Sequence, residues 1–117
     1  MSNTINIPCA IFKSISTFKK LMFEILETDH KELDELFNKR FPNNPEAKKP
    51  FRSYNGKSYI DVTLNKWQTS DTEMMKLQNR IDQTHSYFLT VKPEFYSFKN
   101  KEGSTVEGLC LKFVKMI

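Results

Sequence analysis

The chain has 117 residues, of which 38% are hydrophobic and 27% are charged, and its net charge is +4 at pH 7. This apolar content is enough to order one domain, so we expect a single domain over residues 1–117 and exclude an intrinsically disordered chain. No basic segment leads into an apolar one at the start, and no apolar run approaches about 18 residues, so neither a secretory signal nor a membrane span is expected.

A first strand is predicted where apolar residues at 5, 7, 9 and 11 alternate with polar or small ones. Pro8 within it favours an edge position, because proline cannot donate a backbone hydrogen bond. Cys9 and the second cysteine, Cys110, both lie in apolar stretches, which predicts buried free thiols rather than a disulfide. Two cysteines without a histidine at ligand spacing do not make a typical structural zinc site, so we expect no metal and no cofactor.

Helical spacing follows, since Leu33, Leu36 and Phe37 recur on one face after Asp29. This predicts a helix over about 30–40, with Asp29 as its cap. The segment before it, 18–27, suits either a helix or a strand. Three prolines and two asparagines exclude helix and central strand from residues 41–50, which we interpret as a long loop inside the domain.

The clearest local signal is a β-hairpin, because Asn55 and Gly56 stand between two strand-like runs that extend from 51 to 64. Both residues tolerate positive φ, as a tight two-residue hairpin turn requires. The second run alternates apolar and polar residues, so its apolar set is expected in the core: Ile60, Val62 and Leu64.

Further elements are predicted after the hairpin. Ser70 followed by Glu73 is typical of a helix start, which predicts a helix over 70–83. Apolar and polar residues then alternate from 87 to 92, which predicts a strand. It is followed by a segment at 95–99, a turn at 100–103 and a last strand from about 105 to 116. The expected core face of that last strand is Leu109, Leu111 and Phe113.

These elements together predict a fold class. Short strands with a helix between the middle and the later ones indicate a mainly β fold with one or two helices, an oligonucleotide/oligosaccharide-binding (OB)-like small barrel. The alternative is an α+β sandwich, in which the 30–40 helix packs on a sheet.

Positive charge is concentrated in the second half of the chain. Residues 1–44 hold six basic and six acidic side chains, whereas residues 45–117 hold twelve and eight. A basic surface attracts polyanions. Aromatic residues interleave with these cations near two turns, so that unpaired bases can stack on the rings while the cations neutralise phosphates. The candidate nucleic-acid-binding residues are Lys48, Lys49, Arg52, Tyr54, Lys57, Tyr59, Trp67, Lys92, Tyr96, Phe98, Lys99 and Lys101.

Core packing competes with base stacking at some of the aromatic positions. Phe51, Phe95 and Phe98 lie in strand-like runs, where phenylalanine is more typical of a core than of a binding platform. The pattern therefore favours core packing for these three rings, although Phe98 also belongs to the candidate set.

Residues 92–116 also resemble part of a known group of proteins. They begin Lys92-Pro93-Glu94-Phe95-Tyr96-Ser97-Phe98-Lys99-Asn100-Lys101-Glu102-Gly103, and Val106-Glu107-Gly108-Leu109-Cys110-Leu111 follows. The segment has a basic residue followed by proline, then an aromatic hairpin that contains glycine, then a strand of Gly-Leu-x-Leu type. It resembles the final hairpin of small phage and viral single-stranded DNA-binding proteins of the OB fold. The resemblance implies that four residues lie near the bound strand: Tyr96, Phe98, Lys99 and Lys101.

Catalytic signatures are missing from the sequence, which has no glycine-rich phosphate loop and no His-Glu-x-x-His or Gly-x-Ser-x-Gly motif. We therefore expect no catalytic residues and no enzyme. The prediction is a non-enzymatic single-stranded DNA-binding protein of viral DNA replication or recombination, inside the cytoplasm or nucleus of a host cell and able to form a homodimer or higher homo-oligomer.

Two other functions stay open. One is a protein-interaction module that binds an acidic partner. The other is a small nuclease, although paired acids that could hold two metal ions are not evident. RNA also stays open as a ligand, since 2′-hydroxyl contacts leave no signature in composition.

Overall fold

The computed structural model describes residues 4–15, 20–64, 70, 72, 75–76, 79 and 85–117. Its elements in chain order are β1 (Ile5–Ile15), β2 (Lys20–Ile25), α1 (Glu27–Arg40), β3 (Phe51–Tyr54), β4 (Lys57–Thr63), β5 (Ser86–Lys99) and β6 (Thr105–Met116). Within these described residues, no helix is long and apolar enough to cross a membrane.

The strands form one sheet that closes on itself. Their order is β2-β1-β5-β6-β4-β3, and β2 pairs in addition with β4. This second pairing runs from Lys20 opposite Thr63 to Ile25 opposite Ser58, and it completes a five-stranded barrel of β1, β2, β4, β6 and β5. The predicted OB-like small barrel is confirmed, and it replaces the alternative of an α+β sandwich.

Strand β3 fills a gap in the barrel wall. β4 pairs with β2 along one edge from Ser58 to Thr63. Along its other edge, β4 pairs with β3 as far as Ile60 and then, in parallel, with β6 at Val62 and Thr63. The chain before β3 reaches β6 as well, through a bridge between Lys48 and Gly108. β3 and the end of the 41–50 loop therefore lie between the diverging strands β4 and β6.

Helix α1 confirms the predicted helix but begins earlier. Leu26, in an extended conformation, is the N-cap and makes no side-chain cap hydrogen bond, so Asp29 lies in the first turn and does not cap the helix. The ambiguous segment ahead of it forms strand β2. Its residues Leu21, Phe23 and Ile25 alternate into the core, and this period of two is typical of a strand. Barrel closure therefore decided the conformation of this segment.

The predicted 70–83 helix lies largely outside the described residues. The described positions there, Thr72, Met75, Lys76 and Asn79, are helical.

The core faces predicted for β4 and β6 are confirmed. Their six apolar residues are at most 7% exposed: Ile60, Val62, Leu64, Leu109, Leu111 and Phe113. Helix α1 extends this core, since Leu33 and Phe37 are buried and the Phe37 ring lies edge-on to Phe51, 5.9 Å away between centroids. The Asn55–Gly56 turn is also confirmed, with φ values of 51° and 76°.

A bulge changes the pattern expected for β1. Its pairing with β5 is interrupted between Ile7 and Ala10. The extra residue shifts the alternation, so Ile7, Ala10 and Phe12 face the core and Cys9 is exposed. The predicted burial of Cys9 is therefore wrong, and Cys110 is only partly buried, although both thiols are free as expected. Pro8 lies at the bulge, where no register partner is required of it.

Candidate nucleic-acid interface

Strands β5 and β6 present alternate residues to the outside of the barrel. Leu109 and Leu111 face the core, so the residues between and beside them on β6 face outward, as do their partners on β5. The outward pairs are Lys92 opposite Lys112, Glu94 opposite Cys110, Tyr96 opposite Gly108 and Phe98 opposite Val106.

Two of these outward residues form an aromatic platform, Tyr96 with Phe98. Their ring centroids are 6.1 Å apart and their planes are inclined by 22°. Phe98 is 54% exposed, so much of its ring is open to solvent. The expectation of core packing is wrong for Phe98, and Phe95, at 37% exposed, lies only at the core margin. The two cannot share a face, because they are three positions apart in one strand and side chains alternate.

Gly108 allows the Tyr96 ring to lie against β6. A Cβ atom at this position would stand 2.5 Å from the Tyr96 hydroxyl oxygen and 2.7 Å from Cζ of the same ring. It would also stand 2.8 Å from Cβ of Lys48. A glycine inside a strand commonly marks such a close approach, so the position of the platform depends on Gly108.

Beside the platform lies a groove of about 560 Å³, which we call the lysine groove. It crosses the outside of β2, β4, β6 and β5, and its charged lining consists of Lys20, Lys48, Lys49, Lys112, Asp61 and Glu94. Each acid has a cationic partner of its own, since Asp61 pairs with Arg52 and Glu94 lies 3.8 Å from Lys92. Among the described residues, the groove is therefore positively charged.

The 41–50 loop brings two of these lysines to the barrel. The Lys48 backbone N–H donates to the Glu107 carbonyl oxygen at 2.9 Å, and the Leu109 N–H donates to the Lys48 carbonyl oxygen at 3.0 Å. The Asn44 side chain adds a 3.1 Å hydrogen bond to the Glu107 carboxylate. Lys49 lies 3.9 Å from Asp34 of α1, so the loop is tied to the helix as well as to β6.

A second cluster lies on the outside of β2, β3 and β4. It is a pocket of about 290 Å³ lined by Lys13, Met22, Arg52, Tyr54 and Tyr59, which we call the tyrosine pocket. Arg52 donates one hydrogen bond to the Asp61 carboxylate and another to Sδ of Met22, at 2.7 Å. The guanidinium is thereby held along the surface between the tyrosine pocket and the lysine groove.

The polar groups beside the platform favour their neutral forms. Burial raises the pKa of the Tyr96 phenol, and the nearby Cys110 adds to this effect. Burial also raises the pKa of the Cys110 thiol; Lys112 and Lys20 act in the opposite direction, and Glu94 acts with burial. The described residues contain no cluster of three or more His, Cys, Asp or Glu side chains that could hold a metal ion.

The fold brings the predicted residues together in two groups and leaves others apart. Lys48, Lys49, Tyr96 and Phe98 line the lysine groove, and Arg52, Tyr54 and Tyr59 line the tyrosine pocket. Four of the other five are described and line neither site. Lys92 pairs with Glu94, Lys57 lies 3.8 Å from Glu24, Lys99 and Lys101 are exposed at the β5–β6 turn, and Trp67 lies outside the described residues.

Among the residues of this surface that the sequence did not indicate are Lys20, Lys112 and Gly108. Lys112 alternates with the buried residues of β6, so its outward direction was readable, but its position beside β4 depends on the pairing of distant strands. Lys20 begins a segment whose conformation was ambiguous. Gly108 interrupts an otherwise ordinary strand pattern, and this was the available signal of a close approach.

Comparisons with known proteins identify no family for this chain. No family model and no curated protein matches the chain. Two crystal structures of the mitochondrial single-stranded DNA-binding protein Rim1 from S. cerevisiae are similar to it, one of them selenomethionine-labelled. Both have a TM-score of 0.47, with 12% and 11% identity, and the alignments cover 100% of this chain and 92% and 94% of theirs. Likeness of this degree carries no weight for function, and the fold assignment rests on the strand pairings.

Proposed function

We propose that the protein is a non-enzymatic single-stranded DNA-binding protein. The observation that carries the proposal is the exposed Tyr96–Phe98 stack beside the lysine groove on the outside of the barrel. Rings and cations are thus combined on one continuous surface. In OB barrels the ligand face is that of the second and third strands, which are β2 and β4 here, together with the loop between the fourth and fifth strands, here the β5–β6 turn.

Each part of this surface suits one part of an unpaired strand. A base can stack on Phe98 because its ring is solvent-exposed, and such stacking contributes about 1–3 kcal/mol per base. Phosphates can follow the lysines of the groove, and each neutralised phosphate adds affinity that falls with salt. A duplex offers only the phosphates, because its bases are already stacked and paired. The protein should therefore prefer single strands to duplexes.

The biological setting is a further part of the proposal. Residues 92–116 resemble viral and phage single-stranded DNA-binding proteins, and this supports a role in viral DNA replication or recombination within a host cell. Self-association into a dimer or larger assembly also belongs to the proposal. RNA would use the same rings and lysines, so a direct comparison of the two nucleic acids is needed.

The test is fluorescence anisotropy with labelled single-stranded DNA, duplex DNA and single-stranded RNA, each at low and moderate salt. Wild type should bind single-stranded DNA more tightly than duplex, and affinity should fall as salt rises. Phe98→Ala should weaken single-strand binding by about 1–3 kcal/mol. The matched control is Phe88→Ala, since Phe88 is an exposed phenylalanine of the same strand, 40% exposed, far along β5 from the groove.

A different result would favour the other function class. If wild type is not retained on single-stranded DNA at physiological salt, the proposal is wrong, and the basic surface would suit an acidic protein partner instead. If Phe98→Ala and Phe88→Ala bind like wild type, DNA binding does not use the platform.

A further inference from the structure

The tyrosine pocket combines groups that suit a nucleotide. Tyr54 is 68% exposed at the tip of the β3–β4 hairpin, and Tyr59 stands on the neighbouring strand. The thioether of Met22 and the guanidinium of Arg52 line the same pocket and are joined by a hydrogen bond. Flat rings and a polarisable sulfur favour a planar aromatic ligand, and the guanidinium, which is paired with Asp61, has further N–H donors for an adjacent anion. A nucleobase with its phosphate has both properties.

The pocket is continuous with the lysine groove on the outside of the barrel. Asp61 lines the groove, and Tyr59, two residues before it on β4, lines the pocket. In the same way Lys20 lines the groove and Met22, two residues later on β2, lines the pocket. Residues two apart in a strand share a face. One strand of DNA can therefore follow this face from the platform to the tyrosines.

The separation of the two aromatic sites sets the length of strand that can reach both. Between Tyr59 and Tyr96 lie β3, the bridged segment at Lys48, and β6. Three to four strand spacings of about 4.8 Å give a path of roughly 14–19 Å across the surface. At about 3.4 Å per nucleotide of a stacked strand, roughly 4–6 nucleotides cover this path.

We propose that Tyr54, Tyr59 and Met22 form a second base-stacking site, which a strand bound at the Tyr96–Phe98 platform fills only when it is long enough to span the lysine groove. This inference rests on the proposed function. It adds that the DNA-binding surface has two aromatic sites. Once a strand is bound at the platform, its free end meets the second site at an effective concentration that is set by the length of the strand.

The experiment compares oligothymidylates of about three and about nine nucleotides, which fall on either side of the roughly 4–6 nucleotides required. Affinities are measured for wild type, Tyr54→Ala and Tyr54→Phe at one low salt concentration. Wild type should gain on the order of 10²-fold in affinity from the short to the long strand. Tyr54→Ala should lose at least about fivefold, and at most the whole, of that gain, whereas its affinity for the short strand stays within about twofold of wild type. Tyr54→Phe keeps the ring and should keep the gain.

The outcomes separate this inference from the proposed function. If Tyr54→Ala keeps the full gain with strand length while Phe98→Ala weakens binding, the second site is wrong and the platform stands. If wild type binds neither strand, the proposed function fails, and the second site fails with it. Phe88→Ala serves as the aromatic control, and a gain lost in that variant too would point to altered folding and overturn the assignment to Tyr54.

Discussion

Replacing Gly108 with alanine tests the platform at the point where it touches β6. The added methyl group would meet the Tyr96 ring at 2.5 and 2.7 Å and Cβ of Lys48 at 2.8 Å. All three distances are too short for carbon and oxygen atoms in contact. Lys48 is held by two backbone hydrogen bonds to β6, whereas the phenol is the far end of a side chain. We therefore expect Tyr96 to move and the bridge to persist.

The expected losses of stability and affinity in Gly108→Ala depend on whether Tyr96 alone moves or the Lys48 bridge breaks as well. Overpacking of this kind costs typically about 1–3 kcal/mol of stability, and the lower end applies because the phenol can swing toward solvent. A displaced Tyr96 no longer stacks on Phe98, so the affinity for single-stranded DNA should fall by about 1–3 kcal/mol, or roughly 5- to 150-fold. Loss of the bridge as well would add about 0.5–1.5 kcal/mol of destabilisation for each of its two hydrogen bonds.

Urea denaturation gives the stability, and anisotropy with labelled oligonucleotide gives the affinity. The decisive comparison is a double-mutant cycle with Tyr96→Ala, because removal of the ring vacates the space that the methyl group needs. In that background Gly108→Ala should cost little further affinity. The cycle itself is the control, because the other two glycines, Gly56 and Gly103, have φ values of 76° and 81°, at which any added side chain is strained. A folded Gly108→Ala protein with wild-type affinity, or an equal loss in both backgrounds, would refute the reasoning.

The lysine groove and Asp29 provide two further predictions. Lys48→Ala and Lys112→Ala should each reduce the slope of log affinity against log salt concentration by about 0.7, which is the value for one phosphate of a single strand. Lys31→Ala on α1 is the control and should leave the slope unchanged. Unchanged slopes in both groove variants would contradict phosphate contact. Burial, with a smaller contribution from Glu32, raises the pKa of Asp29 above its ordinary 3.8, and Oδ2 of this carboxylate is a buried atom without a hydrogen-bond partner in the described part of the chain. Because the pKa of Asp29 is higher in the folded than in the unfolded state, stability falls as the pH rises above about 3.8, and the loss is complete once the pH exceeds the folded pKa. Asp29→Asn should therefore unfold at a higher urea concentration than wild type at pH 7, and the difference should shrink as the pH falls toward 3.8; a less stable variant at pH 7 would show that the charge at the helix N-terminus outweighs burial.

Local rules were sufficient where neighbouring residues decide the conformation. The β3–β4 hairpin follows from Asn55 and Gly56, whose positive φ values suit a tight turn between two strands. The last strand follows from strict alternation, and its predicted bounds agree with β6. Burial of Phe51 was likewise expected, because phenylalanine in a strand-like run is typical of a core.

Other expectations depended on residues far apart in the chain. The sequence placed Phe98 both in the candidate set and in the core, because a phenylalanine in a strand is compatible with either face until its register is fixed against β6. The exposure of Cys9 depended on the bulge between Ile7 and Ala10, which moves Ala10 and Phe12 to the core face and leaves no clear trace in composition.

The sequence by itself determined the types of element and the chemistry available to them: a turn, alternating strands, one or two helices, and aromatic residues interleaved with cations. Only the tertiary structure decided that β2 pairs with β4 and closes the barrel, because this pairing joins segments that no local rule relates. Closure brings Lys20 from the first half of the chain beside Lys112 from the last strand. It also lets the 41–50 loop carry Lys48 to Gly108. The binding surface is therefore a product of long-range pairing, since its side chains become neighbours only when the sheet has closed.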